Sequence, residues 1–219
     1  MTRSELEHVT RTYDRIGKRW AWNLVSLAGF QGWESSIRRR AVEDLRLRSG
    51  DAVLDVACGR GSNFPYLEDA VGRDGRIVGV DYSAQMLGGA EERVAKGRWT
   101  NVELVQKDAA EIDYSASFDG ALCTIAMTVI PDWQRALEAM IAAVGRGKRI
   151  VVMDGCRPSG LARLGTPYAK FFSRIVAGNL DRDVIGECRR LLTNIEEERR
   201  MFGTYFIISG EEIESVELP

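Results

Sequence analysis

From about residue 50 onward, short apolar runs rich in Val and Ile alternate with longer segments whose apolar residues recur at helical spacing. The runs 52–57 (AVLDVA), 76–81 (RIVGVD), 101–106 (NVELVQ), 118–124 (FDGALCT) and 148–154 (KRIVVMD) predict strands. The stretches 83–97 and 132–144 predict helices. Ser83 and Asp132 stand where N-caps belong, and Pro131 marks the second boundary. Strand, helix, strand at this rhythm implies right-handed crossovers and a mainly parallel sheet covered on both faces.

The ends depart from this pattern. Residues 2–48 read as helices only, whereas 193–201 and 204–210, separated by Phe202-Gly203, predict a closing β-hairpin and hence an antiparallel end to the sheet. Residues 157–192, between the fifth strand and the hairpin, pattern as two helices broken near Gly178-Asn179. An insertion there is placed to cover a substrate. The organisation expected is a helical N-terminal cap over 1–48 and one domain over 49–219.

Composition narrows the classes. A chain of 219 residues can bury a sizeable core. With 30 Lys and Arg against 32 Asp and Glu, a net charge of −2 gives no global reason to expect a nucleic-acid partner. Cys58, Cys123, Cys156 and Cys188 form no CxxC pair, and reduced thiols in a cytoplasmic protein are the expectation. The first twenty residues are too charged for a signal peptide, and no window nears the roughly 18 consecutive apolar residues of a membrane span.

Ligands of an open parallel sheet bind beyond the carboxyl ends of its strands, so the residues leaving each strand carry the candidate chemistry. After the first comes Asp55-Val56-Ala57-Cys58-Gly59-Arg60-Gly61, where glycines let the backbone approach a ligand and a helix N-terminus offers free N–H groups. Asp81 follows the second strand, twenty residues past Gly61, in reach of ribose hydroxyls. Asp108-Ala109 follows the third and Thr124-Ile125-Ala126 the fourth. A dinucleotide turn wants G-x-G-x-x-G, and the third glycine position is Phe64. Asp55 would also repel a pyrophosphate, while a ligand with a positive centre suits both features. Each residue also has a plainer reading. Asp55 could be a satisfied structural carboxylate, Tyr82 and Met86 ordinary helix residues, and Cys58 and Cys123 small apolar fillers. His8, the single histidine, is the one candidate for a histidine dyad.

The set D-x-A-C-G-x-G, V-D at 80–81 and D-A at 108–109 resembles the class I S-adenosylmethionine-dependent methyltransferases over about residues 50–210. The resemblance implies a Rossmann-like α/β fold with a mostly parallel seven-stranded sheet and an antiparallel last strand. It implies S-adenosylmethionine as cofactor, with Gly59 and Gly61 under its methionine part and ribose, and Asp55 steadying the loop or the ammonium through water. Asp81 would hold the ribose diol, Tyr82 and Met86 would flank the adenine, and Asp108 and the Ala109 N–H would meet the adenine edge. Thr124 would lie near the methyl donor. The resemblance names no catalytic acid or base and no metal ligand.

Within that family the chain is most similar to the ubiquinone/menaquinone biosynthesis and bacterial phospholipid N-methyltransferases. There a Tyr-Asp pair, here Tyr13-Asp14, leads a helix over the cofactor, which would bring Tyr13 to the cofactor's carboxylate. The quinone branch usually continues with a Met/Asn-rich run, where this chain has Arg15-Ile16-Gly17-Lys18-Arg19-Trp20. Thr128-Val129-Ile130-Pro131-Asp132-Trp133 looks more like the lipid-amine branch. The first 48 residues hold ten Lys or Arg against six Asp or Glu, interleaved with Tyr13, Trp20, Trp22, Phe30 and Trp33. Such a cap suits a membrane interface or an apolar substrate, and a solvated amphipathic helix is its plain alternative. The acceptor expected is therefore a small lipophilic or amine-bearing molecule, a phospholipid head group first and a quinone-type precursor second. A nicotinamide-dependent oxidoreductase and a non-catalytic binding module of the same fold are the competing classes.

Overall fold

The computed structural model describes residues 9, 11–14, 31–157 and 177–212. Its chain order is α1 (Gln31–Glu43), β1 (Ala52–Val56), α2 (Phe64–Val71), β2 (Arg76–Asp81), α3 (Ala84–Gly97), β3 (Val102–Gln106), β4 (Phe118–Thr124), α4 (Trp133–Ala142), β5 (Val144–Gly155), α5 (Val184–Leu191), β6 (Leu192–Arg200) and β7 (Tyr205–Glu212). The seven strands form one sheet in the order β3-β2-β1-β4-β5-β7-β6. β1 to β5 pair in parallel, and β7 runs antiparallel to both β5 and β6. The mostly parallel Rossmann-like sheet and its closing hairpin are thus as the sequence pattern predicts.

Alternation along the strands divides the core into two layers. Leu54, Val56, Val78, Val80, Ala121 and Cys123 pack on one face with Leu137 and Met140 of α4 and Val184 and Cys188 of α5. Val53, Ile77, Leu122, Val151 and Met153 pack on the other with Ile37 and Ala41 of α1, Phe64 and Leu67 of α2, and Leu87 of α3. Burial on both faces is why these strands read as continuous apolar runs rather than alternating ones. The same parity sends the side chains of Asp55 and Thr124 to the α1–α2 face.

Two elements differ in extent from the expectation. β5 begins at Val144, and its pairing with β4 jumps from Phe118↔Val144 to Gly120↔Arg149. The Gly145-Arg146-Gly147 stretch is therefore an excursion inside one strand, with Gly147 at φ 67°. Of the two helices expected in 157–192, the described residues contain α5, whose N-cap Asp183 accepts from Gly186 N. Residues 158–176 lie outside the described residues, as do His8, Trp20, Trp22 and Phe30. Among the described residues no helix is long and apolar enough to cross a membrane.

Candidate active site

Chain order turns around at β1, which has β2 on one side and β4 on the other. That switch point opens a crevice at the carboxyl ends of these strands. Register sets the floor: Asp55 lies opposite Gly79 of β2 and Leu122 of β4, one residue short of the end of β1. Immediately beyond the strand, Ala57 has φ 53°, and Ile125 just past β4 has φ 57°. A β-branched residue in the left-handed region is an outlier, and such strain gathers at ligand sites.

The Gly59-Arg60-Gly61 turn follows, with φ 58° at Gly59 and 70° at Gly61. A methyl group added at Gly59 would meet nothing within 4 Å, so this backbone faces open space at the crevice. At Gly61 it would strike the Phe64 ring at 2.4 Å. Phe64 is fully buried beneath the turn, and its far end also fills the place a Cβ would take on Gly79, at 2.8 Å. The third glycine of a dinucleotide turn is replaced by an aromatic plug, and two other glycines leave it room.

Asp81 ends β2 and anchors this turn. Its Oδ2 accepts from Gly59 N at 2.8 Å and its Oδ1 from Ser83 N at 2.9 Å. Burial pushes its carboxyl above the ordinary range, against the pull of those N–H groups. Ser83 caps α3 by accepting from Met86 N and donates to Asp14 Oδ1 at 2.7 Å. The helical residues 11–14 therefore reach the β2 end. Tyr13, half-buried, has its hydroxyl pushed up by burial and by the nearby carboxylates of Asp154 and Asp81. Met86 is 1% exposed and Tyr82 43%. At the next strand end, Asp108 Oδ1 accepts from Ala110 N at 3.0 Å. Ala109 opens a 3₁₀ turn capped by Asp108.

Asp55 is fully buried and held by Asn63, whose Nδ2 donates to Asp55 Oδ1 at 2.9 Å and Oδ2 at 3.1 Å. Asn63 Nδ2 also donates to Thr124 Oγ1 at 3.0 Å. Arg38 of α1 completes the group, its Nη1 donating to Asn63 Oδ1 at 2.9 Å and to Thr124 Oγ1. Glu34 Oε1 in turn accepts from Arg38 Nε at 2.9 Å and Nη2 at 2.6 Å. Burial raises the Asp55 carboxyl to about 7, opposed by Asn63 and by the Arg38 charge.

Asp154, at the end of β5, fixes the loop beyond β4. It accepts from Thr128 N at 2.9 Å, Thr128 Oγ1 at 3.0 Å and Gly155 N at 2.7 Å. Burial pushes it to about 6, with those bonds and the Arg182 charge opposing. Tyr205, at the start of β7, is pushed up to about 12 by burial and then by Glu34 and Asp154.

Of the ten positions singled out in sequence, eight lie at or just past neighbouring strand ends, Met86 lies in the first turn of α3, and Tyr13 lies in the helical residues 11–14. Gly59 and Asp81 are in direct contact, Thr124 and Asp55 share Asn63, and Tyr13 stands by Asp81. Sequence reasoning passed over Arg38, Asn63, Asp154 and Tyr205. Asp154 leaves the fifth strand as Asp81 leaves the second, so the same strand-end criterion would have found it. Asn63 was marked by its place at the start of α2, two residues past the turn.

A methyltransferase-domain family model matches residues 53–147. Demethylmenaquinone methyltransferase of Staphylococcus aureus (strain JH9) is 30% identical over 171 residues, covering 78% of this chain and 66% of that protein. The enzyme of that name from Shouchella clausii (strain KSM-K16) is 27% identical over 179 residues, covering 80% of this chain and 74% of that protein. The fold is shared with geranyl diphosphate C-methyltransferase from Streptomyces coelicolor A3(2), at TM-score 0.69 and 15% identity over 82% of this chain and 76% of that one. A SAM-dependent methyltransferase from Aquifex aeolicus superposes at TM-score 0.58 and 18% identity, over 80% of this chain and 89% of that one. The crevice suits that cofactor: a turn open at Gly59, and acidic groups rather than a phosphate cradle at the strand ends. The chain belongs to the class I S-adenosylmethionine-dependent methyltransferases, near the quinone-biosynthesis enzymes.

Proposed function

We propose that this methyltransferase transfers the methyl group to a lipophilic quinone-type acceptor. The observation that carries it is the 30% identity to a demethylmenaquinone methyltransferase across 78% of the chain. The sequence pattern put a phospholipid head group first; the relatives favour the quinone acceptor instead. A phosphoethanolamine N-methyltransferase from Haemonchus contortus shares the fold at 16% identity, which says nothing of this chain's acceptor.

In this reading Gly59 and Gly61 pass under the methionine part and ribose, and Asp81 receives the ribose diol while still tying down the turn. Asp108 and the Ala109 N–H meet the adenine edge, between Tyr82 and Met86. Tyr13 closes over the methionine carboxylate, and Thr124 stands beneath the methyl donor. Asp55 acts through Asn63, because its carboxylate is fully buried and held by the Asn63 amide. When bound, S-adenosylmethionine supplies a methyl on a sulfonium, whose in-line transfer needs positioning and dryness more than acids and bases. Residues 11–14, tied to Ser83 through Asp14, carry part of the cover that excludes water. The acceptor lies on the β4–β5–β7 side, by Tyr205 and Glu34. The basic aromatic segment 1–48 meets the membrane surface from which such an acceptor is drawn.

The protein is incubated with methyl-labelled S-adenosylmethionine and vesicles holding a reduced, prenylated 1,4-naphthoquinone together with phosphatidylethanolamine. Label is expected in the extracted naphthoquinone. Label confined to the phospholipid overturns the quinone reading and restores the head-group acceptor.

A further inference from the structure

The group Glu34, Arg38, Asn63, Thr124 and Asp55 is an expensive thing to place between α1, α2 and the sheet. Arg38 is 8% exposed and Asp55 0%. Exchanging a buried charged cluster for apolar residues is often neutral or even stabilising, so fold stability does not account for it. Asn63 makes the point locally. It occupies the N-cap of α2 yet makes no side-chain cap bond, giving up about 1 kcal/mol of helix stabilisation. Its amide goes instead to Asp55 and Thr124, which flank the crevice on β1 and β4.

Geometry singles out Arg38 within the group. A direct Arg–carboxylate pair would be the strong arrangement for stability alone. Here the guanidinium stops short of Asp55 and works through intermediates. Nε and Nη2 are spent on Glu34, which fixes the plane of the guanidinium. Nη1 then reaches both Asn63 Oδ1 and Thr124 Oγ1. Because Arg38 can only donate, it forces the Asn63 oxygen toward itself and the Asn63 amino group toward Asp55. Asn63 lies two residues beyond Gly61, so the same bond fixes the exit of the glycine turn.

We propose that Arg38 is the positioning residue of the cofactor crevice, orienting Asn63 and Thr124 so that the charged Asp55 and the glycine turn are held in the binding arrangement. The proposal rests on the S-adenosylmethionine reading above. The charged groups acting on Asp55 are Arg38 from α1 and Asp81 from β2. Cys58 and Cys123 are also close, and burial keeps both thiols protonated. Arg38 favours the ionised form of Asp55, whereas burial and Asp81 oppose it. Cofactor affinity should therefore hold above the Asp55 pKa of about 7 and fall as pH drops through it. Without Arg38 that pKa rises, and the fall begins at higher pH.

The test is calorimetric titration of the full chain with S-adenosylhomocysteine across the neutral range, with the melting temperature recorded at each pH. Arg38→Met is expected to bind about tenfold more weakly near neutrality, with the midpoint of its pH dependence raised by about one unit. Arg38→Lys keeps the charge but not the double donation, and should recover the midpoint better than the affinity. Asp55→Asn should remove the step near pH 7, since it removes the titrating group. If Arg38→Met fails to fold, Thr124→Val replaces it and should weaken binding in the same direction by a smaller factor. A lowered melting temperature with wild-type affinity and midpoint reduces Arg38 to a structural residue and overturns the proposal. A folded wild type that binds no S-adenosylhomocysteine overturns the cofactor reading itself, and the proposal with it.

Discussion

Adding one methyl group at Gly79 should unsettle the fold, and shortening Phe64 should restore part of the loss. In Gly79→Ala the new Cβ would stand 2.8 Å from Phe64 Cζ, 3.0 Å from Cys58 Sγ and 3.2 Å from Leu104 Cδ2. Contacts at 3.0 Å or less require something to shift, and a fully buried ring has little room to do so. Overpacking of this kind costs about 1–3 kcal/mol, while replacing a strand glycine with alanine returns about 0.5–1 kcal/mol. The expected net loss is about 1–2 kcal/mol, which for a chain of this size is a fall of about 3–6 °C in melting temperature. Phe64→Leu alone should cost about 1–2 kcal/mol through lost burial and the space left behind. Together the two should cost about 1 kcal/mol less than their sum, because the alanine methyl takes the room the ring gives up. Urea unfolding of the four proteins measures this directly. Strict additivity would refute the plug, since it would mean that the Gly79 methyl never meets Phe64.

Asp81→Asn should raise the dissociation constant for S-adenosylhomocysteine about 100-fold by calorimetry, because an amide cannot accept from both Gly59 N and Ser83 N and still serve a diol, a loss of about 3 kcal/mol in charge-assisted hydrogen bonds. Retained affinity would move the ribose elsewhere. Asp55 also makes stability depend on pH. Its folded pKa is raised to about 7 from an ordinary 3.8, so the stability it contributes is complete below the lower value and lost as pH rises through the upper one. The unfolding free energy of wild type relative to Asp55→Asn should therefore fall between those two values and level off above them; a flat difference contradicts the upward shift that burial gives this carboxyl. Asp154→Asn should lower the melting temperature by several degrees, since three donors converge on the carboxylate and an amide can take at most some of them. An unchanged melting temperature would show that Asp154 does not hold the loop beyond β4.

Much of this molecule is legible in its sequence because local and global signals agree. The Val- and Ile-rich runs, Ser83 as a cap and the glycine turn all follow from nearest-neighbour chemistry, and the parallel sense of β1 to β5 follows from the strand–helix–strand rhythm. Asp81 and Asp108 are legible for the same reason, since each leaves a strand. Phe64 signals that the turn is not of the dinucleotide kind, but its partner Gly79 looks like any strand glycine until both lie in one layer. The Arg38–Asn63–Asp55 group is less visible still. Its members come from α1, the start of α2 and β1, and are joined only when the sheet parity of Asp55 is combined with the docking of α1. No local spacing records that docking. The acceptor preference is hidden for another reason: N-, O- and C-methyl transfer can share one scaffold, and no side chain in the sequence singles out one acceptor atom.

The central claim is that the crevice between β1, β2 and β4 receives S-adenosylmethionine rather than a dinucleotide. Titration of the folded protein with S-adenosylmethionine and, separately, with NADH tests it most directly. One saturable site for S-adenosylmethionine, abolished or strongly weakened by Asp81→Asn, with no heat from NADH, is the predicted result. Binding of NADH alone, or equal binding of S-adenosylmethionine by wild type and Asp81→Asn, would contradict it.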